Sequence, residues 1–225
     1  MAERDQETRQ RVLETAAHLF ALRGFKKVTI REICTAAHAN VAAVNYHFGD
    51  KLGLYREVLE MAIAAMQQTT AAATRAGHGG RPDERLSAHI RVYLQHLLGN
   101  GGDTWLHRFM ARELADPTPA LDAIVDQAVR PRVEYLCGLV GELLDRPASD
   151  RRVRECVASV QAQCVMALPN PIGDRLHRRV RRTPADIVRL ADHIAEFSLA
   201  GVHAVGRISG HARGGRRASP PGGAP

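Results

Sequence analysis

The stretch TIREICTAAHANVAAVNYHF, residues 29–48, contains two short helical patterns separated by a tight break. Apolar residues recur in the first pattern at three- and four-residue spacing and therefore share one face of a helix. They are Ile30, Ile33, Cys34 and Ala37. Thr29 is expected to cap this helix, and Glu32, three residues later, completes a capping box.

The second pattern begins at Asn40, whose side-chain oxygen can cap the following helix. Val44 and Phe48 lie four residues apart and are predicted to face inward. His38 and Ala39 form the short break between the two patterns. Two short helices joined by such a turn predict a helix-turn-helix.

The outward face of the second helix combines small, amide, phenol and imidazole side chains. Small side chains would let the helix approach base edges in a major groove, and an amide offers both a donor and an acceptor. The phenol, the imidazole and a following lysine could bind phosphates. The residues are Val41, Ala42, Asn45, Tyr46, His47 and Lys51. For this helix alone, an ordinary surface helix is an open alternative.

Flanking patterns favour the DNA-binding interpretation. An apolar stripe upstream predicts a packing helix that stops at Gly24. Asp50 is the predicted N-cap of a long fourth helix that continues to Arg75. The stripe consists of Val12, Leu13, Ala16, Leu19 and Phe20.

With these flanks, the run from Arg11 to Tyr55 resembles the N-terminal domain of the TetR family of bacterial transcriptional regulators. His38 departs from the family's usual glycine at the turn, but histidine is among the non-glycine residues that tolerate a positive φ, so the turn is expected to be kept. Asn45 stands where an aromatic residue is common, so no operator sequence follows. The matching residues are Ala16, Leu19, Phe20, Gly24, Thr29, Ile33, Ala37, Asn40, Val44, Tyr46, His47, Phe48, Lys51 and Leu54.

The resemblance implies a DNA surface on the second and third helices. Thr29 would touch phosphate and Arg31 a base or phosphate, and Asn40 begins the recognition helix. Base edges would face Val41, Ala42, Ala43 and Asn45, while Tyr46, His47 and Lys51 would bind the backbone.

The C-terminal part resembles the effector domain of the CecR-type subgroup, through RELADPTP at 112–119, RPR at 130–132 and ADHIAEFSLAG at 191–201. The resemblance implies a repressor that leaves a palindromic operator when a small molecule binds. A ligand pocket is predicted from aromatic and polar residues, with ordinary packing as the alternative for each. These are Tyr93, Trp105, Arg108, Phe109, Arg112 and Glu113.

The whole chain is expected to be all-α, with about nine to ten helices, and Pro131 is expected to interrupt the helix that contains it. The predicted organisation is a three-helix helix-turn-helix domain over 1–53, a helical effector-binding and dimerisation domain over 54–208, and a disordered basic tail over 209–225.

Two apolar stripes near the C-terminus predict a homodimer, which would hold two recognition helices about 34 Å apart for successive major grooves. An internal core is the alternative for these stripes. The first consists of Val153, Val157, Val160 and Cys164, and the second of Ile187, Leu190, Ile194 and Phe197.

The composition excludes several functional classes. The net charge of +7 owes most to arginines at 175–182 and 207–217, which are interpreted as a solvated face and tail, although they could also touch DNA.

No apolar run approaches the roughly 18 residues needed to span a bilayer, so a cytoplasmic protein with reduced cysteines is expected. Catalytic and metal-binding motifs are absent, so neither an enzyme nor a cofactor is expected. The rival function is a helical interaction module whose helix-turn-helix does not bind DNA.

Overall fold

The computed structural model describes residues 2–99, 105–168, 175–176 and 183–214, and none of them lies in a β-strand. The all-α prediction is therefore confirmed. The helices are α1 (Ala2–Arg23), α2 (Ile30–Ala36), α3 (Val41–Phe48), α4 (Lys51–Ala76), α5 (Pro82–Gly99), α6 (Trp105–Ala115), α7 (Ala120–Ile124), α8 (Arg130–Leu144), α9 (Arg151–Met166) and α10 (Pro184–Gly214). A 3-10 turn, Phe25–Lys27, follows α1.

The chain divides into two compact units. The first comprises Met1–Ala71 and Asn100–Arg132, and the second Ala72–Gly99 and Val133–Pro225. Helix α4 contributes to both units, and α6 and α7 pack with the N-terminal helices. This division by packing differs from the predicted functional boundary after Gly53, which stays a prediction.

The core of the first unit is built on α1. Val12, Ala16 and Phe20 are at most 1% exposed, as the predicted stripe requires, and they share a core with Ile33 of α2. Phe109 of α6 joins the same core. Removing a buried phenylalanine ring costs about 3–5 kcal/mol, so α6 is an integral part of this unit.

The predicted caps of the helix-turn-helix are confirmed. The Thr29 hydroxyl accepts a hydrogen bond from the Glu32 amide at 3.3 Å, and the Glu32 carboxylate accepts one from the Thr29 amide at 2.8 Å. Asn40 Oδ1 accepts from the Ala43 amide at 2.6 Å. His38 has a φ of 49°, so it takes the left-handed conformation of the turn that glycine adopts without strain.

Two arginines of α1 hold α2 at its two ends. Arg23 Nη1 donates to Glu32 at 2.7 Å, and Arg11 Nε donates to the carbonyl of Ala37 at 2.7 Å. The first bond neutralises the capping carboxylate, and the second satisfies a carbonyl that the end of α2 leaves without a helical partner. Helix α1 therefore fixes both the start of α2 and the turn that follows it.

In the second unit, α5 and α10 pack along each other. Leu86, Ile90 and Leu94 are fully buried in this core. Ion pairs join the two helices at their margins, between Arg91 and Asp192 and between Asp83 and His203. Thr183 and Asp186 form a capping box at the start of α10, and the Thr183 amide and Arg189 lower the pKa of Asp186 to about 2.

Two predictions about chain breaks need correction. Pro131 does not interrupt the helix, because the π-helical turn Val125–Val129 directly precedes α8. The wider turn accommodates a ring that has no N–H and would clash with a normal α-helical carbonyl. Helix α10 also continues through 209–214, so the predicted disordered tail does not begin at 209. The rest of the predicted tail, 215–225, lies outside the described residues, as does most of the arginine cluster at 175–182.

Gly53, in the first turn of α4, is expected to be irreplaceable. A β-carbon there would lie 2.0 Å from the carbonyl oxygen of Phe48, so Gly53→Ala should force α4 away from the end of α3 and cost about 1–3 kcal/mol. The matched control is Gly138→Ala in α8, where a β-carbon meets nothing within 4 Å and helix propensity should add up to about 1 kcal/mol. Urea unfolding followed by circular dichroism measures the stability of both variants. Equal unfolding midpoints for Gly53→Ala and Gly138→Ala would contradict the clash.

The cap of α2 should make stability depend on pH in the acid range. Hydrogen bonds from Arg23 and from the Thr29 amide lower the pKa of Glu32 from 4.5 to about 2. Because the folded pKa lies below the unfolded one, the contribution is present above about pH 4.5 and is lost as the pH falls towards 2. The difference in Tm between wild type and Glu32→Gln should therefore shrink over this range. A difference that stays constant from about pH 5 to about pH 2.5 would contradict the assignment.

Candidate nucleic-acid interface

Helix α3 is anchored on one side and open on the other. Val44 is fully buried and Phe48 is 7% exposed, as predicted, while Val41 is 42% exposed and Tyr46 79% exposed. Ala42 and Asn45 are also exposed, and Ala43 is half-buried. The open side presents methyl groups, one amide and one phenol, which is the combination that base edges and phosphates require.

Helix α2 adds two of the predicted residues at its start. Arg31 is exposed in the first turn, and Thr29 is exposed at the cap. The Thr29 hydroxyl also lies 2.8 Å from the Glu32 carboxylate, so its position is set by the capping box. Contact of either residue with DNA stays a prediction.

His47 does not belong to the open face. Its side chain is only 8% exposed, and its Nε2 lies 3.2 Å from a carboxylate oxygen of Asp5 on α1. The predicted phosphate contact of His47 stays a prediction, and the approach to Asp5 is a further contact that the sequence did not indicate. A carboxylate from the first turns of α1 lay too far away in sequence to be recognised as the partner of an imidazole on α3.

Lys51 is held by an aromatic ring. Its ammonium lies 4.4 Å from the centroid of the Phe25 ring in the 3-10 turn, a cation–π contact. The contact orients a long side chain that would otherwise sample many rotamers. Sequence patterns identified Lys51 as a phosphate ligand but did not indicate Phe25 as its support.

A further arginine of α1 binds the junction of α3 and α4. Arg9 donates to Glu57 at 2.6 Å, and its guanidinium lies 5.3 Å from the centroid of the Phe48 ring. The end of the recognition helix is thus covered by α1. This role was missed because nothing in the spacing of Arg9 distinguishes it from a solvated surface arginine.

The predicted effector residues separate into two groups. Phe109 and Glu113 are 1% and 2% exposed in the first unit, and Arg112 donates to the carbonyl of Leu22 at 2.9 Å. These three residues have structural partners within the unit, and their contact with an effector stays a prediction. Trp105 is half-buried and Arg108 exposed in the same unit, while Tyr93 lies in the second unit beside His89.

Most of the residues predicted for a dimer interface are buried within the chain. Leu190 is half-buried and Phe197 is 62% exposed. The others are at most 6% exposed and form the core of the second unit, which corrects the prediction in favour of the internal alternative. They are Val153, Val157, Val160, Cys164, Ile187 and Ile194.

The same two helices leave apolar side chains on the surface. Val165 and Met166 of α9 are 54% and 66% exposed, and Val188 of α10 is 45% exposed. A shallow groove of about 540 Å³ follows α10 from Ala185 to Glu196. The outer flank of these helices therefore exposes apolar side chains to solvent.

Other chemistry is limited in the part of the chain that the structure covers. Among the described residues, no three histidines, cysteines or carboxylates are grouped so that they could hold a metal ion. No helix within the described ranges is long and apolar enough to cross a membrane. All four cysteines are buried thiols, and burial raises the pKa of Cys34, Cys137 and Cys156.

Comparison with known proteins matches both halves of the chain. The family described as "Bacterial regulatory proteins, tetR family" matches residues 12–58, and "HTH-type transcriptional dual regulator CecR, C-terminal domain" matches residues 82–202. Over 56 residues the chain is 39% identical to the HTH-type transcriptional regulator AcrR of Shigella flexneri, a match that covers 25% of this chain and 26% of AcrR.

Solved structures extend the likeness to the whole fold. A bacterial regulatory protein in the tetR family from Rhodococcus RHA1 has a TM-score of 0.65 at 18% identity, and the match covers 87% of this chain and 96% of that one. PfmR, a TetR family transcriptional regulator from Thermus thermophilus, has a TM-score of 0.60 at 21% identity, with 84% and 97% covered. With its caps, its open α3 face and both family matches in place, the chain belongs to the tetR family of bacterial regulatory proteins, carries a CecR-type C-terminal domain, and is a DNA-binding transcriptional regulator.

Proposed function

We propose that the protein is a homodimeric repressor that binds a palindromic operator through α3 and is released by a small-molecule effector. The observation that carries the proposal is the open face of α3, where Tyr46 is 79% exposed while Val44 and Phe48 fix the helix from behind. A phenol held so far out of a rigid helix can reach a phosphate without any rearrangement of the core.

The proposed contacts follow the geometry. Val41, Ala42 and Asn45 would meet base edges, and Tyr46 and Lys51 would bind the phosphate backbone. Arg31 would contribute from the start of α2. His47 is assigned the supporting role that its contact with Asp5 indicates.

The proposed dimer uses the outer flank of α9 and α10. Val165, Met166, Val188 and Phe197 are large apolar side chains that a second copy would remove from water. In a two-fold dimer each of these residues contributes to the interface twice, once from each subunit, because both subunits use the same surface. Such a pair would present two α3 helices to one palindrome.

Release by an effector requires a difference in affinity. A small molecule acts only if it binds a conformer in which the two recognition helices no longer match successive major grooves. Of the predicted pocket residues, Tyr93, Trp105 and Arg108 remain candidates for contact with the effector. The chemical identity of the effector does not follow from them.

The rival proposal is an interaction module whose helix-turn-helix has no DNA ligand. Replacing Tyr46 and Lys51 with alanine separates the two. A DNA-binding protein should lose affinity for every duplex, and the slope of log K against log salt concentration should become shallower by about 0.9 because the Lys51 charge is removed. Fluorescence anisotropy with a labelled duplex at several salt concentrations measures both quantities. Leu22→Ala, which truncates another half-exposed side chain of the same unit, is the control and should bind like wild type.

Undiminished binding by the Tyr46→Ala/Lys51→Ala variant would remove the support for α3 as the DNA-binding helix. The same variant tests the sign of regulation in cells. Once bound sites have been mapped across the genome, transcription of the adjacent operon should rise with the variant if the protein is a repressor. A fall in transcription would indicate an activator.

Phe197→Glu should dissociate the proposed dimer. The change places two carboxylates in one symmetric interface without touching the core of the second unit, because Phe197 is exposed. Analytical ultracentrifugation at micromolar concentration should show dimers for wild type and monomers for the variant. Leu114→Glu, at a 71% exposed position in the first unit, is the control. A dimeric Phe197→Glu protein would exclude this flank as the interface.

A further inference from the structure

Helix α6 carries a carboxylate that is almost wholly buried. Glu113 is 2% exposed. One of its oxygens accepts a hydrogen bond from the Tyr55 hydroxyl at 2.6 Å, and the other accepts from the Thr118 amide at 3.1 Å and the Thr118 hydroxyl at 2.8 Å. A buried carboxylate persists only where donors satisfy it. Glu113 therefore joins α4 to the turn between α6 and α7.

The Tyr55 ring lies at the centre of an aromatic cluster in the same unit. Its centroid is 5.2 Å from that of Phe20, 4.8 Å from that of Phe25 and 5.9 Å from that of Phe109. These separations are those of favourable aromatic pairs. The Tyr55 ring, whose hydroxyl is bonded to Glu113, therefore packs directly against the Phe25 ring.

Phe25 in turn supports the Lys51 ammonium. The ammonium lies 4.4 Å from the centre of the Phe25 ring, and Lys51 and Tyr55 are four residues apart on α4, so they occupy the same side of the helix. A continuous set of contacts thus runs from the buried carboxylate on α6, through two aromatic rings, to a cation beside the recognition helix.

We propose that Tyr55 and Glu113 are positioning residues for DNA binding, which fix the Phe25 surface on which Lys51 is held for contact with phosphate. The inference rests on the proposed role of Lys51. It assigns Glu113 a part in DNA affinity although no DNA contact is required of it. It also predicts that a displacement of α6 changes the affinity for any duplex, whatever its sequence.

The Tyr55 hydroxyl is a permanent donor in this arrangement. Burial is the larger cause and the hydrogen bond to Glu113 the smaller cause of a Tyr55 pKa that lies well above its usual range. The proton therefore stays on the phenol throughout the physiological pH range, and Tyr55→Phe removes one hydrogen bond while keeping the ring.

A double-mutant cycle tests the proposal. Binding of full-length wild type, Tyr55→Phe, Lys51→Ala and the double variant to a fixed labelled duplex is measured at several salt concentrations. Tyr55→Phe should weaken binding by about threefold to tenfold and reduce the salt slope in the same direction as Lys51→Ala. In the Lys51→Ala background it should have almost no further effect, because the group through which it acts is gone.

Loss of folded protein cannot imitate this result. A smaller active fraction, measured by stoichiometric titration, changes the apparent affinity equally in both backgrounds and leaves the salt slope unchanged. Glu113→Gln, which keeps a hydrogen-bond acceptor, should show a smaller effect of the same kind. In a Tyr46→Ala background, by contrast, Tyr55→Phe should retain its full effect.

Two results would overturn the proposal. In the first, Tyr55→Phe lowers the affinity for the duplex equally in the wild-type and the Lys51→Ala backgrounds. In the second, Tyr55→Phe binds the duplex with wild-type affinity at every salt concentration. Failure of the proposed function is distinguishable, because wild type itself would then show no salt-dependent binding to the duplex.

Discussion

The first unit depends on the burial of one apolar stripe of α1. Val12, Ala16 and Phe20 are covered by the helix-turn-helix and also share their core with Phe109 of α6. A core that is packed at interior density transmits displacement, because its side chains cannot move independently. A displacement of α6 would therefore be transmitted to α3 through α1, although α3 and α6 are far apart in sequence.

Polar side chains of α1 also orient the two short helices, α2 and α3, that pack on its apolar stripe. Arg11 and Arg23 bind the two ends of α2, while Arg9 covers Phe48 at the end of α3. Arg11 satisfies a carbonyl that the end of α2 leaves without a helical partner, and Arg23 bonds the capping carboxylate at its start. Short helices gain little stability of their own, so their orientation has to come from a longer neighbour.

Local patterns were sufficient for the helix-turn-helix, because caps and turns depend on residues within one or two helical turns. The caps at Thr29 and Asn40 followed from neighbours in sequence, and the positive φ of His38 was expected from the family's usual glycine at that turn. The contacts that sequence patterns did not indicate join residues distant in the chain. His47 meets Asp5, and Arg112 meets Leu22. The stripe from Val153 to Cys164 was correctly identified as apolar, but periodicity does not distinguish burial in a chain's own core from burial against a second copy.

The same limit explains why Glu113 resembled a ligand-binding residue. A ligand pocket and a buried hydrogen-bond network can both place a charged side chain beside aromatic residues. Only the hydrogen-bond partners of that side chain distinguish the two. Here the donors come from Tyr55 and Thr118, so the carboxylate is occupied by the protein. An effector that displaces α6 would have to break or rearrange these bonds, and the energy needed would come from its differential affinity for the displaced state. Coupling between effector binding and DNA binding can thus arise through Tyr55 and Glu113, which need not contact either ligand themselves.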